Sequence, residues 1–413
     1  MHSKFRLTHY FGPGTLVTAA FIGPGTVTVC SLAGAQNGYV LLWALLFSVI
    51  ATITLQEMSA RLGIVTRKGF GETIRTELKQ PLLKWVGIAL VFSAIVIGNA
   101  AYESGNISGA VLGTETIFKE LTVTIGTTSW SMLPILIGLI AGMLLYSGNF
   151  KWIRRFLTGM VLLMSVVFLT TAIVVMDDIP ALLQGLFIPS MHSDQLLMVI
   201  ALIGTTVVPY NLFLHASVVQ QTYKHTEDLP KMRKENAVAI LLGGIISMSI
   251  VVTSAALQGN EDIINAADMA VQLRPVLGDW AVYFLSTGLF AAGISSAITA
   301  PLAAAYAVKG IFGWEGDLKS IRFKLVWMLI LLIGVFFSMT SWSPVVIIQF
   351  AQVTNGILLP LVGGFLVYIV NQRSVMGEFT NKRWQNLLSI GIIAITVLLS
   401  VRSLNAVFNF LNA

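Results

Sequence analysis

Eleven long apolar segments run through the 413-residue chain, and they restrict its fold more than any other feature. An α-helix rises about 1.5 Å per residue, so roughly 20 apolar residues cross the ~30 Å hydrocarbon core of a bilayer. The segments lack the period-two alternation of a transmembrane β-barrel. The sequence therefore predicts an all-α integral membrane protein with 11 transmembrane helices. The predicted spans are 10–36, 39–62, 84–110, 130–147, 152–177, 196–222, 235–258, 279–309, 323–341, 344–371 and 384–408.

The low charge content supports this class of protein and excludes several others. Charged residues make up 11% of the chain, against roughly 25% in a soluble domain. A soluble enzyme, a disordered chain and a nucleic-acid-binding protein are therefore excluded, because each needs more solvated charge. The single cysteine, Cys30, excludes a disulfide framework and a cysteine-rich metal site. No cofactor site is predicted, and no HExxH, GxSxG or phosphate-binding motif indicates an enzyme.

The distribution of positive charge predicts the orientation. With a cytoplasmic N-terminus and an extracytoplasmic C-terminus, 22 of the 25 Lys and Arg residues lie in predicted inner segments, and Lys119, Arg274 and Arg402 lie elsewhere. This bias follows the positive-inside rule, and a wrong number of spans would remove it. The net charge of +6 is thus a consequence of topology and implies no anionic partner other than the lipid bilayer.

Two spans carry helix-breaking residues near their middle. Span one contains Gly23-Pro24-Gly25, and span six contains Pro209. Proline removes a backbone donor and clashes with the preceding turn, while glycine lets the backbone unwind. Unwound backbone at membrane depth persists only where it lines a cavity enclosed by protein. Breaks in spans one and six indicate an inverted-repeat transporter with a midplane site, although two unrelated packing kinks would leave the same pattern.

Four stretches of the sequence resemble motifs of the Nramp family, which are proton-coupled divalent metal transporters of LeuT-like fold. Residues 23–26 with 33–39 resemble the family's "DPGN…AGAQYGY" stretch. Gln56 with residues 60–66 resembles the end of the family's span two. Residues 209–215 resemble "MPHNLYLH", and residues 376–384 resemble the loop before span eleven. The motifs follow the family's order along nearly the whole chain.

This resemblance implies one domain built as a five-plus-five inverted repeat with an extra helix. The single transmembrane transporter domain would cover 1–413, with repeats at approximately 10–177 and 196–371 and the extra helix at 384–408. The implied location is a bacterial inner (plasma) membrane. The oligomeric state is left open.

The residues that hold the metal in typical family members are replaced in this chain. The resemblance places the substrate site at Gly23, Thr26, Thr205 and Val208, where typical members have Asp, Asn, Ala and Met. Tyr210 stands at the position of a family His. Transition-metal dications favour carboxylate, imidazole or sulfur ligands, whereas this set offers hydroxyl and carbonyl oxygens. The sequence therefore predicts that the ordinary transition-metal site is lost.

Five polar residues within the spans are candidates for a gate or a proton path. They are Asn99, Glu103, Tyr210, His215 and Gln352. Glu103 lies near a position where family members carry acids that take part in proton movement, and Asn99 lies on the same helix face. Interhelical hydrogen bonding explains Glu103 and Gln352 equally well and is the favoured interpretation of His215, whereas the Tyr210 hydroxyl cannot shuttle protons near pH 7.

One acid near the inner end of span two has a simpler interpretation. Glu57 precedes Arg61 by four residues, which is the favourable order for an ion pair along a helix. We expect a structural ion pair there rather than a role in transport.

These observations favour a secondary transporter with alternating access at a midplane site between broken helices one and six. Pro24, Gly25 and Pro209 would break the helices. The inherited substrate is a divalent cation, with Mg²⁺ or Mn²⁺ favoured over Fe²⁺ because hydrated hard ions accept neutral oxygen ligands. A transporter of a small neutral or zwitterionic solute and a non-transporting regulatory homologue stay open. We expect weak or absent proton symport, because the span-one acid and the first span-six His are replaced.

Overall fold

A computed structural model describes residues 22–116, 122–125, 128–148, 151–257, 263–314 and 320–411. Within these ranges, nine helical stretches are long and apolar enough to cross a bilayer, and residues 133–147 form a shorter apolar helix. The described part of span one is a further helix, which begins at Pro24. The molecule is therefore a multi-pass helical membrane protein, in agreement with the predicted spans.

The helices are numbered here along the chain. They are α1 (Pro24–Asn37), α2 (Leu42–Thr66), α3 (Phe70–Glu77), α4 (Pro81–Ser93), α5 (Asn99–Glu115), α6 (Leu133–Ser147), α7 (Lys151–Val175), α8 (Ile179–Phe187), α9 (Leu196–Thr206), α10 (Pro209–Thr222), α11 (Leu229–Ala255), α12 (Ala266–Ala270), α13 (Arg274–Leu277), α14 (Ala281–Phe312), α15 (Ile321–Ser338), α16 (Pro344–Val370), α17 (Arg373–Met376) and α18 (Arg383–Leu411). A π-helical turn, Ala94–Gly98, joins α4 to α5, so that span three is one continuous helical stretch.

The structure corrects the start of span four. An antiparallel hairpin of β1 (Thr122–Ile125) and β2 (Thr128–Ser131) precedes that span. The predicted span 130–147 therefore begins two residues inside a strand. The helix begins only at Leu133, next to Pro134, because proline is well suited to the first turn of a helix but has no N–H to give farther in. The first 12 residues of predicted span one, 10–21, lie outside the described residues.

The spans differ strongly in how far they are enclosed. In the most apolar part of the stretch 193–222, 94% of residues are buried, against 28% for the stretch 81–115. Span six is thus surrounded by protein, whereas one side of span three faces the lipid. Helix α1 is buried along nearly its whole length and packs against α11, α9 and α16.

Small residues let the central helices approach closely. A β-carbon at Gly204 of α9 would lie 1.9 Å from the carbonyl oxygen of Gln352 in α16. A β-carbon at Gly109 of α5 would lie 2.1 Å from the ring of Pro24. Close packing of this kind is typical of membrane helices, which gain little from hydrophobic contact alone. It brings the first turn of α1 and the last turn of α9 into one enclosed region.

Candidate substrate site

Span six is interrupted at its centre by two non-helical residues. Helix α9 ends at Thr206, Val207 and Val208 leave the helical conformation, and α10 begins at Pro209. In an unbroken helix the Thr205 carbonyl would accept a hydrogen bond from the N–H of residue 209, but proline has none. The break therefore leaves backbone carbonyl groups without their helical partners inside the protein.

The described part of span one begins at a similar helix end. Gly23 has an extended backbone with φ −89° and ψ 175°, and α1 begins at Pro24. The Gly23 carbonyl accepts a hydrogen bond of 3.2 Å from the N–H of Val27. Two buried helix ends, one at Pro24 and one at Thr206, thus belong to helices that contact one another.

A hydrogen bond joins the two helix ends directly. The hydroxyl oxygens of Thr26 and Thr205 lie 2.9 Å apart, and each residue is only 3% exposed. These are two of the four residues predicted to line the substrate site. Because the two hydroxyls bond one another, a ligand that binds between them must offer at least one equally good hydrogen bond.

The other two predicted substrate residues lie against an aromatic pair. Tyr102 of α5 and Tyr210 of α10 have ring centroids 5.2 Å apart, and Val208 packs with both. A β-carbon at Gly23 would lie 3.5 Å from the Tyr102 hydroxyl and 3.4 Å from the Ser296 hydroxyl, which are ordinary contact distances. The site therefore has a hydroxyl-rich side and an apolar, aromatic side.

Sequence reasoning did not select Tyr102 or Ser296 for this site. Tyr102 lies three residues after Asn99, which was selected, so the helical spacing carried a usable signal. The adjacent acid, Glu103, carries the stronger signal of a functional residue in a membrane helix. Ser296 carried only the general signal of a small residue suited to helix packing.

Gln352, one of the gate candidates, lies beside the helix break. Its side chain is 1% exposed and covers Gly25, where a β-carbon would lie 2.2 Å from Nε2. Its Oε1 accepts a hydrogen bond of 3.4 Å from Nδ2 of Asn355. The amide of Gln352 therefore packs directly on the first turn of α1.

Glu103 and Asn99 are buried beside this region, with contacts of their own. Oε2 of Glu103 accepts a hydrogen bond of 3.2 Å from Asn106, and the side chain packs on Gly334 of α15. Among the described residues, Oε1 of Glu103 has no partner. Asn99 donates to the Ala300 carbonyl at 3.4 Å. Glu103 thus contacts α15, whereas its neighbour Tyr102 contacts Tyr210.

His215 lies away from the break, almost two helical turns beyond Pro209. Its Nδ1 is 2.6 Å from Oε1 of Gln56 in α2, and both residues are buried. The contact is an interhelical hydrogen bond, the alternative to a role in proton transfer that the sequence offers for His215.

The predicted ion pair of span two is present and is part of a larger group at the same end of the bundle. Nε of Arg61 is 3.0 Å from Oε1 of Glu57, and Nε of Arg233 lies 2.8 Å from the same oxygen. Arg61 also donates to the Phe379 carbonyl and to Oδ1 of Asn381. The salt bridge therefore ties α2 to α11 and to the segment before α18.

The chemistry of the helix-break region is neutral. Within the described part of the chain, no group of three or more His, Cys, Asp or Glu side chains is arranged to hold a metal ion. The possible ligand atoms at the break are hydroxyl and backbone carbonyl oxygens, with the neutral amide of Gln352 beside them. Such a set can hold a hard cation that keeps part of its water, or a polar organic solute, but it offers no soft ligand.

Comparisons with known proteins agree on fold and relatives. A sequence model described as "Natural resistance-associated macrophage protein-like" (Nramp) matches residues 14–406. The divalent metal cation transporter MntH of Pectobacterium carotovorum is 26% identical over 403 residues, which cover 94% of this chain and 92% of that protein.

Two solved structures are similar to the chain in fold. A variant of the Eremococcus coleocola manganese transporter has a TM-score of 0.75 at 20% identity and covers 98% of this chain and 89% of that one. MhsT in complex with L-phenylalanine has a TM-score of 0.60 at 16% identity, with coverage of 94% and 96%. The predicted all-α, LeuT-like architecture is thereby confirmed.

Proposed function

The chain belongs to the Nramp family, and on this basis we propose that it is a secondary transporter whose substrate binds between the broken helices of spans one and six. The observation that carries the proposal is the buried bond between Thr26 and Thr205, which joins two helix ends inside the protein. Helix ends at membrane depth are where transporters of this architecture bind their substrates. Access to the site alternates between the two sides of the membrane.

A divalent cation is the substrate class that we assign, with Mg²⁺ or Mn²⁺ preferred to Fe²⁺. MntH of Pectobacterium carotovorum is a divalent metal cation transporter. Gly23, Thr26, Thr205 and Val208 provide only neutral oxygen ligands. Mg²⁺ keeps several of its waters in protein sites and accepts such ligands, whereas softer ions gain nothing from them.

Uptake into proteoliposomes tests this assignment directly. The purified full-length protein is reconstituted, and entry of Mg²⁺, Mn²⁺ and Fe²⁺ is followed with internal indicator dyes. We expect uptake of Mg²⁺ or Mn²⁺ above that of empty vesicles, and less uptake of Fe²⁺. Flux equal to that of empty vesicles for every dication would rule out the metal assignment.

Restoring the missing ligands gives a second test. The triple variant Gly23→Asp, Thr26→Asn, Val208→Met adds a carboxylate, an amide and a thioether at the helix break. Gly23 has room for a side chain, because its nearest neighbours are Ser296 and Tyr102 at contact distance. We expect Mn²⁺ to raise the denaturation temperature of the triple variant more than that of the parent.

The matched control for that test is the same triple variant with Gly23→Asn, which has nearly the shape of the aspartate variant without its charge. Mn²⁺ should stabilise the Asp form more than the Asn form. If neither form binds Mn²⁺, the scaffold has diverged beyond these positions, and the non-transporting regulatory homologue becomes the better explanation.

A small neutral or zwitterionic organic solute is the second candidate substrate, and the aromatic pair favours it. Tyr102 and Tyr210, with Val208, form an apolar wall of the kind that packs on an organic side chain. MhsT, which shares the fold, has been solved in complex with L-phenylalanine. A thermal-shift screen of amino acids against Mg²⁺ and Mn²⁺ separates the two candidates.

Weak or absent proton symport is a further part of the proposal. Glu103, the nearest carboxylate considered for this role, contacts α15 through Gly334 instead of the helix break. His215 is hydrogen-bonded to Gln56 and lies away from the break. We expect substrate entry without acidification of the vesicle interior. Acidification that depends on substrate would contradict this.

We place the protein in a bacterial inner membrane with the N-terminus in the cytoplasm, as the distribution of Lys and Arg suggests. The single native cysteine, Cys30, is buried, so a maleimide should react only with a cysteine that has been added. A membrane-impermeant maleimide applied to intact cells should label Asp279→Cys and leave Lys382→Cys unlabelled. The reverse pattern would invert the topology.

A further inference from the structure

A cavity of about 400 Å³ lies at the end of the bundle that carries the Glu57–Arg61 salt bridge. We call it the basic-end cavity. It opens between α2, α11, α18 and the segment before α18, away from the helix-break site. Three cationic and two anionic side chains line it, together with apolar and aromatic groups. The residues used below are Ile53, Glu57, Arg233, Asn236, Lys382 and Trp384.

Asn236 is a buried amide in the wall of this cavity. It is 2% exposed, and within the described residues neither its Nδ2 nor its Oδ1 has a hydrogen-bond partner. Buried polar groups without a partner are rare unless a ligand or water satisfies them. The amide offers one donor group and one acceptor to a molecule in the cavity.

Two cations beside this amide, Arg233 and Lys382, have N–H groups available to bind a ligand. Among the described residues, Arg233 uses only Nε, which bonds Glu57, and it is 46% exposed. Lys382 is exposed and takes part in no salt bridge within the same ranges. The charge of Glu57 is already compensated by the buried Arg61. Glu378 offsets one of the remaining cations, so the lining keeps a net positive charge that attracts an anion.

An exposed apolar strip continues from the cavity along the outside of the bundle. Ile50 lies one turn from Ile53 on α2, and Leu241 lies one turn from Ala237 on α11. These two side chains are 42% and 47% exposed, and Trp384 at the start of α18 is 62% exposed. A tryptophan at this level is typical of the membrane–water interface. The cavity is thus polar at one end and continuous with lipid-facing surface at the other.

We propose that the basic-end cavity binds an anionic phospholipid. The headgroup phosphate accepts hydrogen bonds from Arg233, Lys382 and Nδ2 of Asn236, and a headgroup hydroxyl donates to Oδ1 of Asn236. One acyl chain lies along the apolar strip next to Trp384. Basic pockets between membrane helices bind anionic lipid headgroups for the same electrostatic reason. A soluble phosphate would leave the apolar strip unused.

Lipid competition on the full-length protein tests the proposal. The ratio of phosphatidylglycerol to phosphatidylcholine bound in mixed micelles is measured by native mass spectrometry. In the variant Arg233→Gln, Lys382→Gln we expect the preference for phosphatidylglycerol to fall about fivefold for each cation removed. The control is Lys234→Gln, Arg383→Gln, which removes two cations one residue away that do not line the cavity. It should keep the preference.

Three results would overturn the proposal. The first is a parent protein without preference for phosphatidylglycerol. The second is an equal loss in both double variants, which would mean general attraction to the membrane surface. The third is thermal stabilisation by inorganic phosphate as large as that by phosphatidylglycerol, which would mean a soluble anion. Asn236→Ala gives an independent check, because it should weaken lipid binding without changing the charge.

Discussion

Two polar regions of the molecule use opposite chemistry. At the helix break, Thr26 and Thr205 share a neutral hydrogen bond, and no group of three or more His, Cys, Asp or Glu side chains among the described residues is arranged to hold a metal ion. At the basic end, Glu57 is held by Arg61 and Arg233. A charged side chain at the centre of a bilayer costs at least ~2.5–3.5 kcal/mol, and that cost falls toward the interface. The ion pairs thus lie at the basic end, whereas the substrate positions Gly23, Thr26, Thr205 and Val208 carry no charged side chain.

The comparison distinguishes charged residues that stabilise the fold from charged residues that would bind a substrate. In a metal transporter, a carboxylate at the helix break recovers its burial cost when the cation binds. Gly23 offers no carboxylate, so a cation bound at this break would have to keep part of its own water. The basic-end ion pairs bear on stability and on lipid contact, and they say nothing about the substrate.

The largest effect is expected at the basic end. Arg61 is 1% exposed and Glu57 is 13% exposed, so Arg61→Met leaves part of the charge of a partly buried carboxylate uncompensated. We expect a loss of roughly 3–5 kcal/mol in stability, measured as the free energy of unfolding in detergent. The matched variant Arg233→Met removes a half-exposed partner of the same acid and should cost at most about 1 kcal/mol. Equal losses would mean that burial does not distinguish the two cations.

Close packing at the helix break should give the next largest effect. Gly204→Ala forces a β-carbon onto the Gln352 carbonyl, so α9 and α16 must separate. We expect a loss of roughly 1–3 kcal/mol and a reduced substrate flux. The control is Gly159→Ala in α7, where a β-carbon meets nothing within 4 Å. The control should be neutral or stabilising by up to about 1 kcal/mol, because alanine favours a helix. A neutral Gly204→Ala would contradict the close approach.

Substitutions at the hydrogen-bonded pair Thr26 and Thr205 should have smaller effects on the free energy of unfolding, and these effects should be coupled. Thr205→Val leaves the Thr26 hydroxyl without this partner and should cost roughly 1–2 kcal/mol. The double variant with Thr26→Val should cost less than the sum of the two single variants. A complete double-mutant cycle of unfolding free energies measures the coupling. Strict additivity would show that the bond contributes nothing to stability.

The smallest expected effect is the pH dependence of stability at the partly exposed ion pair of Lys68 and Glu77. Oε1 of Glu77 is 2.5 Å from Nζ of Lys68, and this hydrogen bond lowers the pKa of the Glu77 carboxyl. Because the folded-state pKa is below the ordinary value, the stabilisation is present at neutral pH and is lost as pH falls through the folded-state pKa. The denaturation temperature of Glu77→Gln should be slightly below that of the parent at pH 7, and the difference should shrink as the pH falls. A difference that grows on acidification would reverse the sign.

Features set by local chemistry were predictable from the sequence. Apolar length predicted the spans, and the i,i+4 spacing predicted the contact between Glu57 and Arg61. The hairpin before α6 was missed because its strands are only four residues long and adjoin an apolar span. The two repeats and the roles of the site residues stay predictions.

Features that depend on packing between distant spans were not predictable. The sequence shows that Thr26 and Thr205 are polar, but not that their hydroxyls meet across 179 residues. Arg233 was counted only as an inner cation, although it completes the Glu57 ion pair. Tyr102 and Glu103 are neighbours that contact different helices, and a single sequence cannot assign each to its partner.

The hydrogen bond between the Thr26 and Thr205 hydroxyls adds only a little to the attraction between α1 and α9. Any separation of the two helix ends breaks it, at a net cost of about 1 kcal/mol. Such a cost changes the ratio of joined to separated populations only about fivefold. The hydrogen bond between the two threonines is therefore weak enough for thermal motion to break and re-form it without a bound ion.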